Sequence, residues 1–289
     1  MRNEFSVVTI VKNRTQQLSN LIANLEQSEL APSELIVVWM TSPSSNSLIQ
    51  SEQFSIKHKF ATSEELPLAQ ARNKGFTACS FERIVHLDVD CVCDPALFST
   101  MMKNWKDNTI HTTNIIPLTD MPDNAQFEQL MERSELHVLN GRRNASAMHN
   151  FQSAVFGVSR SDFDKVGGFD EQYHGFGIGD IDFATRCHAA GIGLEKLSLT
   201  AFHQYRANYQ FPINHLLDIV TNANLFKAKW GYYPATDWLS AFVSQGFVNQ
   251  DFEHSGLTIA RMPSEEEIHQ ALHYEQAAEN ADHIEKLSA

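Results

Sequence analysis

No stretch of about 18 consecutive apolar residues, the length that spans a bilayer, occurs in this 289-residue chain, so no transmembrane helix is expected. Basic residues are scarce: 22 Lys and Arg face 35 Asp and Glu, for a formal net charge of −13. Such a surface argues against nucleic acid as a partner, because neutralising phosphates takes clustered cations. A diphosphate ligand on this chain would need a metal to offset the repulsion. Cysteines number four, and Cys91 and Cys93 share a strand face without the geometry to pair. Reduced thiols and a cytoplasmic location are expected. A zinc site there lacks a second Cys or His pair at useful spacing. The first residues lead straight into a strand, without the apolar core of a signal peptide. Internal repeats and low-complexity linkers are absent too.

What is present is 43% hydrophobic and 20% charged, enough to bury a substantial core. Residues 5–11 form a β-branched run, followed by Lys12, Asn13, Arg14 and Thr15. Leu18, Leu21, Ile22 and Leu25 then recur at helical spacing, with Asn13 or Thr15 placed to cap that helix. Residues 35–39 make a second buried strand, ending at Trp39. Strand, helix and strand in succession predict an α/β domain with a parallel sheet. A weaker strand follows near Phe54, then a helix over 67–79 that carries Arg72 and Lys74.

Residues 83–90, Arg-Ile-Val-His-Leu-Asp-Val-Asp, organise the rest. Read as a strand, they place Asp88 and Asp90 on one face. Two carboxylates at the carboxyl end of a strand suit a hard divalent cation; alternatively Asp90 caps the turn at Asp94-Pro95. Ligands of open α/β sheets lie outside those carboxyl ends. Val11, Asn13 and Arg14, the loop after Trp39, and Asp88 and Asp90 all fall on that edge.

Further on, the pattern predicts a helix over 96–104, a strand over 110–116 and a helix near 127–138. The polar stretch 117–150, with its basic loop 141–144, is either an acceptor pocket, a lid or a surface insertion. A strand over 151–159, a short helix from Asp162 and a Gly-dependent turn at 166–171 lead to a segment with Gly175, Gly177 and Gly179. Asp180 opens the next helix, where a carboxylate either caps the end or faces the cleft. Asp182 points about 200° away around the helix, where it either supports the neighbouring loop or forms a salt bridge, Arg186 four residues on being a candidate partner. A strand over 194–200 ends near His203.

Beyond Pro212, apolar residues Ile213, Leu216, Leu217, Val220, Leu225 and Phe226 predict an amphipathic helix broken at Gly231. Residues 211–289 thus read as a helical extension to a catalytic domain at 1–210. They are expected to pack on that domain or on a sister subunit as a homo-oligomer. Only Lys227 and Lys229 decorate the helix, too few for membrane binding.

Six segments in order (5–14, 34–42, 71–75, 87–90, 166–171 and 177–186) resemble family 2 glycosyltransferases of the GT-A fold. The later part also looks like the galactosyltransferase-type segment of chondroitin-polymerase-like and polypeptide N-acetylgalactosaminyl transferases. The resemblance covers roughly residues 4–206. It implies a nucleotide-sugar donor, a saccharide or other hydroxyl acceptor, and Mn2+ or Mg2+ on the donor diphosphate. It implies that Asp90 and His203 hold the metal, that Asp88 contacts the donor's ribose or the metal shell, that Arg72 contacts the donor, and that Asp180 is the base of an inverting transfer. Val11, Asn13 and Arg14 complete the donor-binding set with Trp39, whose apolar face can stack on the base or the acceptor sugar, or simply pack. Three departures stand out: Ile10-Val-Lys-Asn13 replaces Pro-Thr-Tyr-Asn, Trp39-Met40 replaces paired Asp residues, and Gly179 replaces a Glu. They leave the nucleotide base open. They also keep a catalytically silent binding module in play, alongside a metal-dependent nucleotidyltransferase. Against the latter, no Gly-rich, cation-bearing phosphate loop follows the first strand.

Overall fold

The computed structural model describes residues 4–44, 47–62, 66–118, 127–134, 151–203, 211–234 and 237–271. The first strand, β1 (Ser6–Val11), is buried at all six positions, as is β2 (Glu34–Trp39). Burial on both faces explains why they read as continuous apolar runs rather than alternating ones. Their side chains still sort by parity. Val7, Val11, Leu35, Val37 and Trp39 join one core cluster; Val8, Ile10, Ile36 and Val38 join the other. The first cluster includes Leu18, Leu21 and Leu25 of α1 (Thr15–Glu26) and Phe98 and Met101 of α3 (Leu97–Lys103). The second takes in Phe76 of α2 (Leu68–Ala78), Phe163 of α5 (Arg160–Lys165), and Phe183 and Cys187 of α6 (Gly179–Ala189), while Phe127 and Leu130 of α4 (Phe127–Ser134) form a smaller cluster with Val92 and Phe202. One sheet is therefore covered by helices on both faces.

The remaining strands are β3 (Ser55–Phe60), β4 (Arg83–Leu87), β5 (Cys91–Cys93), β6 (Thr109–Pro117), β7 (Val155–Ser159) and β8 (Gly193–His203). Their order is β3-β2-β1-β4-β7-β6-β8-β5. The sheet is mixed, not parallel as the strand–helix–strand alternation implied. That pattern holds from β1 to β4, but β7 runs antiparallel to both β4 and β6, and β5 antiparallel to β8. This reversal matters for the site. Because Leu87 pairs with Val155, the start of β7 arrives at the end of β4. Parallel pairing of β6 with β8 carries the end of β8, at His203, to the same edge.

Helix α1 lacks the predicted cap. Its N-cap is Arg14, with no side-chain bond, while Asn13 sits at φ 56° and Thr15 shares a hydrogen bond with Ser47 at 3.0 Å. Among the described residues all four cysteines are free and buried, and burial pushes the Cys93 thiol up to about 12. Burial thus favours the neutral thiol.

Glu34 is a buried carboxylate on β2 that accepts from Ser6 (2.7 Å), Lys57 (2.6 Å) and Ser80. Burial pushes its pKa up, but those donors outweigh it and hold the carboxyl below its usual range. Its stabilising contribution is therefore present above the ordinary carboxylate pKa and lost as pH falls through the lowered folded value. Glu34→Gln should cost about 1–3 kcal/mol at neutral pH. Urea midpoints should show that difference shrinking on acidification; a gap independent of pH would refute the role.

Contacts divide the chain into two units. The first holds residues up to Gly175 and 179–206; the second holds 176–178 and residues from 207 onward. In the second, α7 (Leu216–Trp230) stops where Gly231 adopts φ 83°, and α8 (Asp237–Ser244) and α9 (Phe252–Ser255) follow. Leu217, read as part of the apolar face of α7, is 58% exposed, while Ile219 and Ala223 are buried instead. Phe176 stacks on His215 and donates its N–H to Asp218, and Asn222 donates to the carbonyls of Phe176 and Gly177. The basic loop 141–144, most of the 117–150 stretch, and Leu272 and Ile284 lie outside the described residues.

Candidate active site

Strand pairing of β4 ends at Leu87, so Asp88 and Asp90 are not strand residues sharing a face. They lie on a turn. The Asp88 N–H donates to the Ala154 carbonyl (2.6 Å), and the Cys91 N–H closes back onto the Asp88 carbonyl (2.9 Å). Val89 between them joins the core. Strand β5 then pairs Cys91 with His203, which brings the imidazole over the turn. One ligand atom each from Asp88, Asp90 and His203 lies within 4.8 Å of the others, the span one cation needs to reach all three. His203 Nε2 stands 3.5 Å from Asp88 Oδ2, and Arg14 Nε 3.9 Å from Asp90 Oδ1. Two carboxylates and one imidazole form a donor set suited to a divalent cation such as Mn2+.

Asp180 is the second residue of α6, and the backbone reaches it through Ile178 at φ 67°. Left-handed backbone at a β-branched residue is costly, of order 1–3 kcal/mol, and such strain gathers at functional sites. Arg72, projecting from α2, donates Nη1–H to Asp180 Oδ1 at 3.0 Å. Its guanidinium also lies 5.0 Å from the centre of the Phe169 ring. Ser153 donates twice to Asp180 Oδ2, from its backbone N–H (3.2 Å) and its hydroxyl (2.8 Å). Asp180 remains one-third exposed, and Arg72 12%. Asp182 differs completely. It is fully buried, accepts from Arg186 Nε (2.8 Å) and Tyr173 (3.2 Å), and Arg186 in turn donates to the carbonyls of Val166 and Gly168. That pair locks the Gly-dependent turn onto α6 and offers nothing to a substrate.

Several expected donor contacts change. Trp39 is 2% exposed; its ring packs in the core beneath α1, and its Nε1–H donates to His58 Nδ1 at 3.0 Å. With both faces covered, it cannot stack on a base or a sugar. The Val11 side chain is fully buried and its carbonyl accepts from the Met40 N–H, so Val11 has no side chain to present. Asn13 is exposed at the carboxyl end of β1 and accepts from Thr41, and Arg14 is half-buried beside Asp90. Lys74 turns away to the Phe60 carbonyl. Two residues were missed by the sequence reading. Ser153 gave no signal beyond a polar position in an apolar run. His86, inside β4, is fully buried against Phe156, and burial together with the nearby Arg72 charge pulls its pKa down to about 3. It is a neutral floor beneath the site.

The family model described as "Glycosyltransferase like family 2" matches residues 6–217. The chain belongs to this glycosyltransferase family. No curated protein matches this glycosyltransferase by sequence. Its fold is that of GT-A enzymes. S. aureus TarS (residues 1–349) shares 13% identity, covering 87% of this chain and 75% of that one, at a TM-score of 0.56. The mannosyltransferase PcManGT from Pyrobaculum calidifontis, in complex with GDP-Man and Mn2+, shares 14% over 78% and 63%, at 0.55. GalNAc-T7 with UDP, GalNAc and Mn2+ shares 14% over 84% of this chain and 54% of that one, at 0.52. Among the described residues of this glycosyltransferase, no helix is long and apolar enough to cross a membrane.

Proposed function

We propose that this glycosyltransferase moves a sugar from a nucleotide-sugar donor to a hydroxyl acceptor with inversion, in a reaction that depends on a divalent cation. The carrying observation is that the three-residue donor set and Asp180 meet at one sheet edge. Two consecutive residues join them: Ser153 holds Asp180, and the Ala154 carbonyl holds the Asp88 N–H. Asp88, Asp90 and His203 would hold the cation, Mn2+ in preference to Mg2+ because of the imidazole. When bound, it neutralises charge gathering on the departing diphosphate, which then leaves without a proton. Arg14, beside Asp90, and Arg72 supply further positive charge for that diphosphate. Asp180 accepts the acceptor's hydroxyl proton as the oxygen bonds to the anomeric carbon and the carbon–diphosphate bond breaks on the opposite face. Structurally similar proteins captured with UDP-GlcNAc, or with GDP-Man and Mn2+, support this donor class while leaving the base open.

A panel of UDP-, GDP- and dTDP-sugars, with and without Mn2+, tests the reading by thermal shift and by release of nucleoside diphosphate. One donor class should raise the melting temperature only with the cation present and be consumed. Binding without any consumption, with acceptors supplied, would reduce the protein to a carrier of the same fold.

A further inference from the structure

Asp180 has more holding it than a surface carboxylate needs. Among the described residues, both Ser153 donors converge on Oδ2, while Oδ1 receives a single bond, from Arg72. A carboxylate has about four acceptor directions, two per oxygen. Oδ2 is therefore filled, and Oδ1 keeps one direction open for an incoming hydroxyl. Ser153 itself is 1% exposed, out of reach of solvent and of any substrate. Its place is fixed from the other side too, since the next carbonyl, of Ala154, holds the N–H of Asp88.

We propose that Ser153 is a positioning residue for the transfer reaction: it pins Oδ2 of Asp180, so that Oδ1 alone faces the acceptor hydroxyl. This assignment rests on the function proposed above. Without the Ser153 hydroxyl, the carboxylate can rotate about its last bond toward Arg72, and the fork of the guanidinium can take both oxygens. The open direction of Oδ1 would then turn away from the acceptor. Misplacement of a reacting group by about 1 Å costs on the order of a hundredfold in rate. Arg72 stays paired with Asp180 in either arrangement, so its charge remains beside the donor diphosphate, and the cation, held by Asp88, Asp90 and His203, would not feel the change.

Ser153→Ala keeps the backbone donor and removes only the hydroxyl, a small loss at a buried position. Thermal melting confirms that the variant is folded. In the whole 289-residue chain with its best donor and Mn2+, kcat should fall about 10- to 100-fold. Donor KM and the Mn2+ concentration dependence should stay within about twofold of wild type. In an Asp180→Asn background the same change should cost less than about twofold, because the group being positioned is gone. Unchanged kcat, a raised donor KM with kcat retained, or an equal loss in both backgrounds would each overturn the assignment. Wild-type protein that releases no nucleoside diphosphate from any donor would defeat the proposed function and this assignment with it. Wild-type turnover with a fully active Ser153→Ala defeats the assignment alone.

Discussion

Asp180→Asn is expected to lower kcat by about 10²–10⁴-fold while leaving cation-dependent donor binding in place. The asparagine amide keeps the size of the carboxylate and can still accept from Ser153, so the loop into α6 should hold its form. What it cannot do is take a proton. Asp180 is the one carboxylate of the α6 N-terminus that is open to a substrate, at one-third exposure, whereas Asp182 is sealed against Arg186 and Tyr173. Removing one partner of a buried ion pair costs about 3–5 kcal/mol, so Asp182→Asn should appear as a lowered melting temperature. Any protein that survives should retain transfer near the wild-type rate. The two variants thus separate by kind of defect: one folded and inactive, the other active and unstable. An Asp182→Asn protein with full thermal stability and no transfer would move the base two residues along the helix.

Asp90→Ala should abolish the stabilisation that Mn2+ and a nucleotide sugar confer together. Asp90 is the most buried of the three donors, its side chain 4% exposed against 23% for Asp88 and 17% for His203. It therefore has the least water to stand in for it. Loss of an outer-shell partner already costs a metal site roughly 10–100-fold in affinity, and loss of a ligand should exceed that. The melting temperature without ligands should hold or rise slightly, because two neighbouring carboxylates become one. Isothermal titration of Mn2+ into the variant provides the direct measurement. Wild-type affinity there would place the cation elsewhere on the chain.

Legibility in the sequence followed the range of the interactions. The carboxylates at 88 and 90 could be seen as a pair because two residues separate them, whatever the backbone between. They still converge, although not by the strand geometry first used to join them: a turn closed by Cys91 brings them together as well as a pleat would. The pairing of Asp182 with Arg186 was also readable, since i and i+4 neighbour each other on any helix. Trp39 shows the opposite case. Placed by its number at the end of β2, it lies where a ligand-stacking ring would sit, but strand parity turned it into the α1 layer.

The sequence by itself determined the elements and their order from β1 to β4, because buried strands and amphipathic helices are written in short periodic runs. It also singled out the two carboxylates and the histidine that come together. Only the tertiary structure decided that β7 enters the sheet antiparallel, and so which residues meet at the edge. Arg72 and Asp180 are 108 positions apart, Asp88 and His203 115, and Ser153 and Asp180 27. No local pattern encodes such pairs. They form because packing on two faces of one sheet brings the ends of β4, β7 and β8 together, and the direction of β7 puts Ser153 and Ala154 between the two halves of the site.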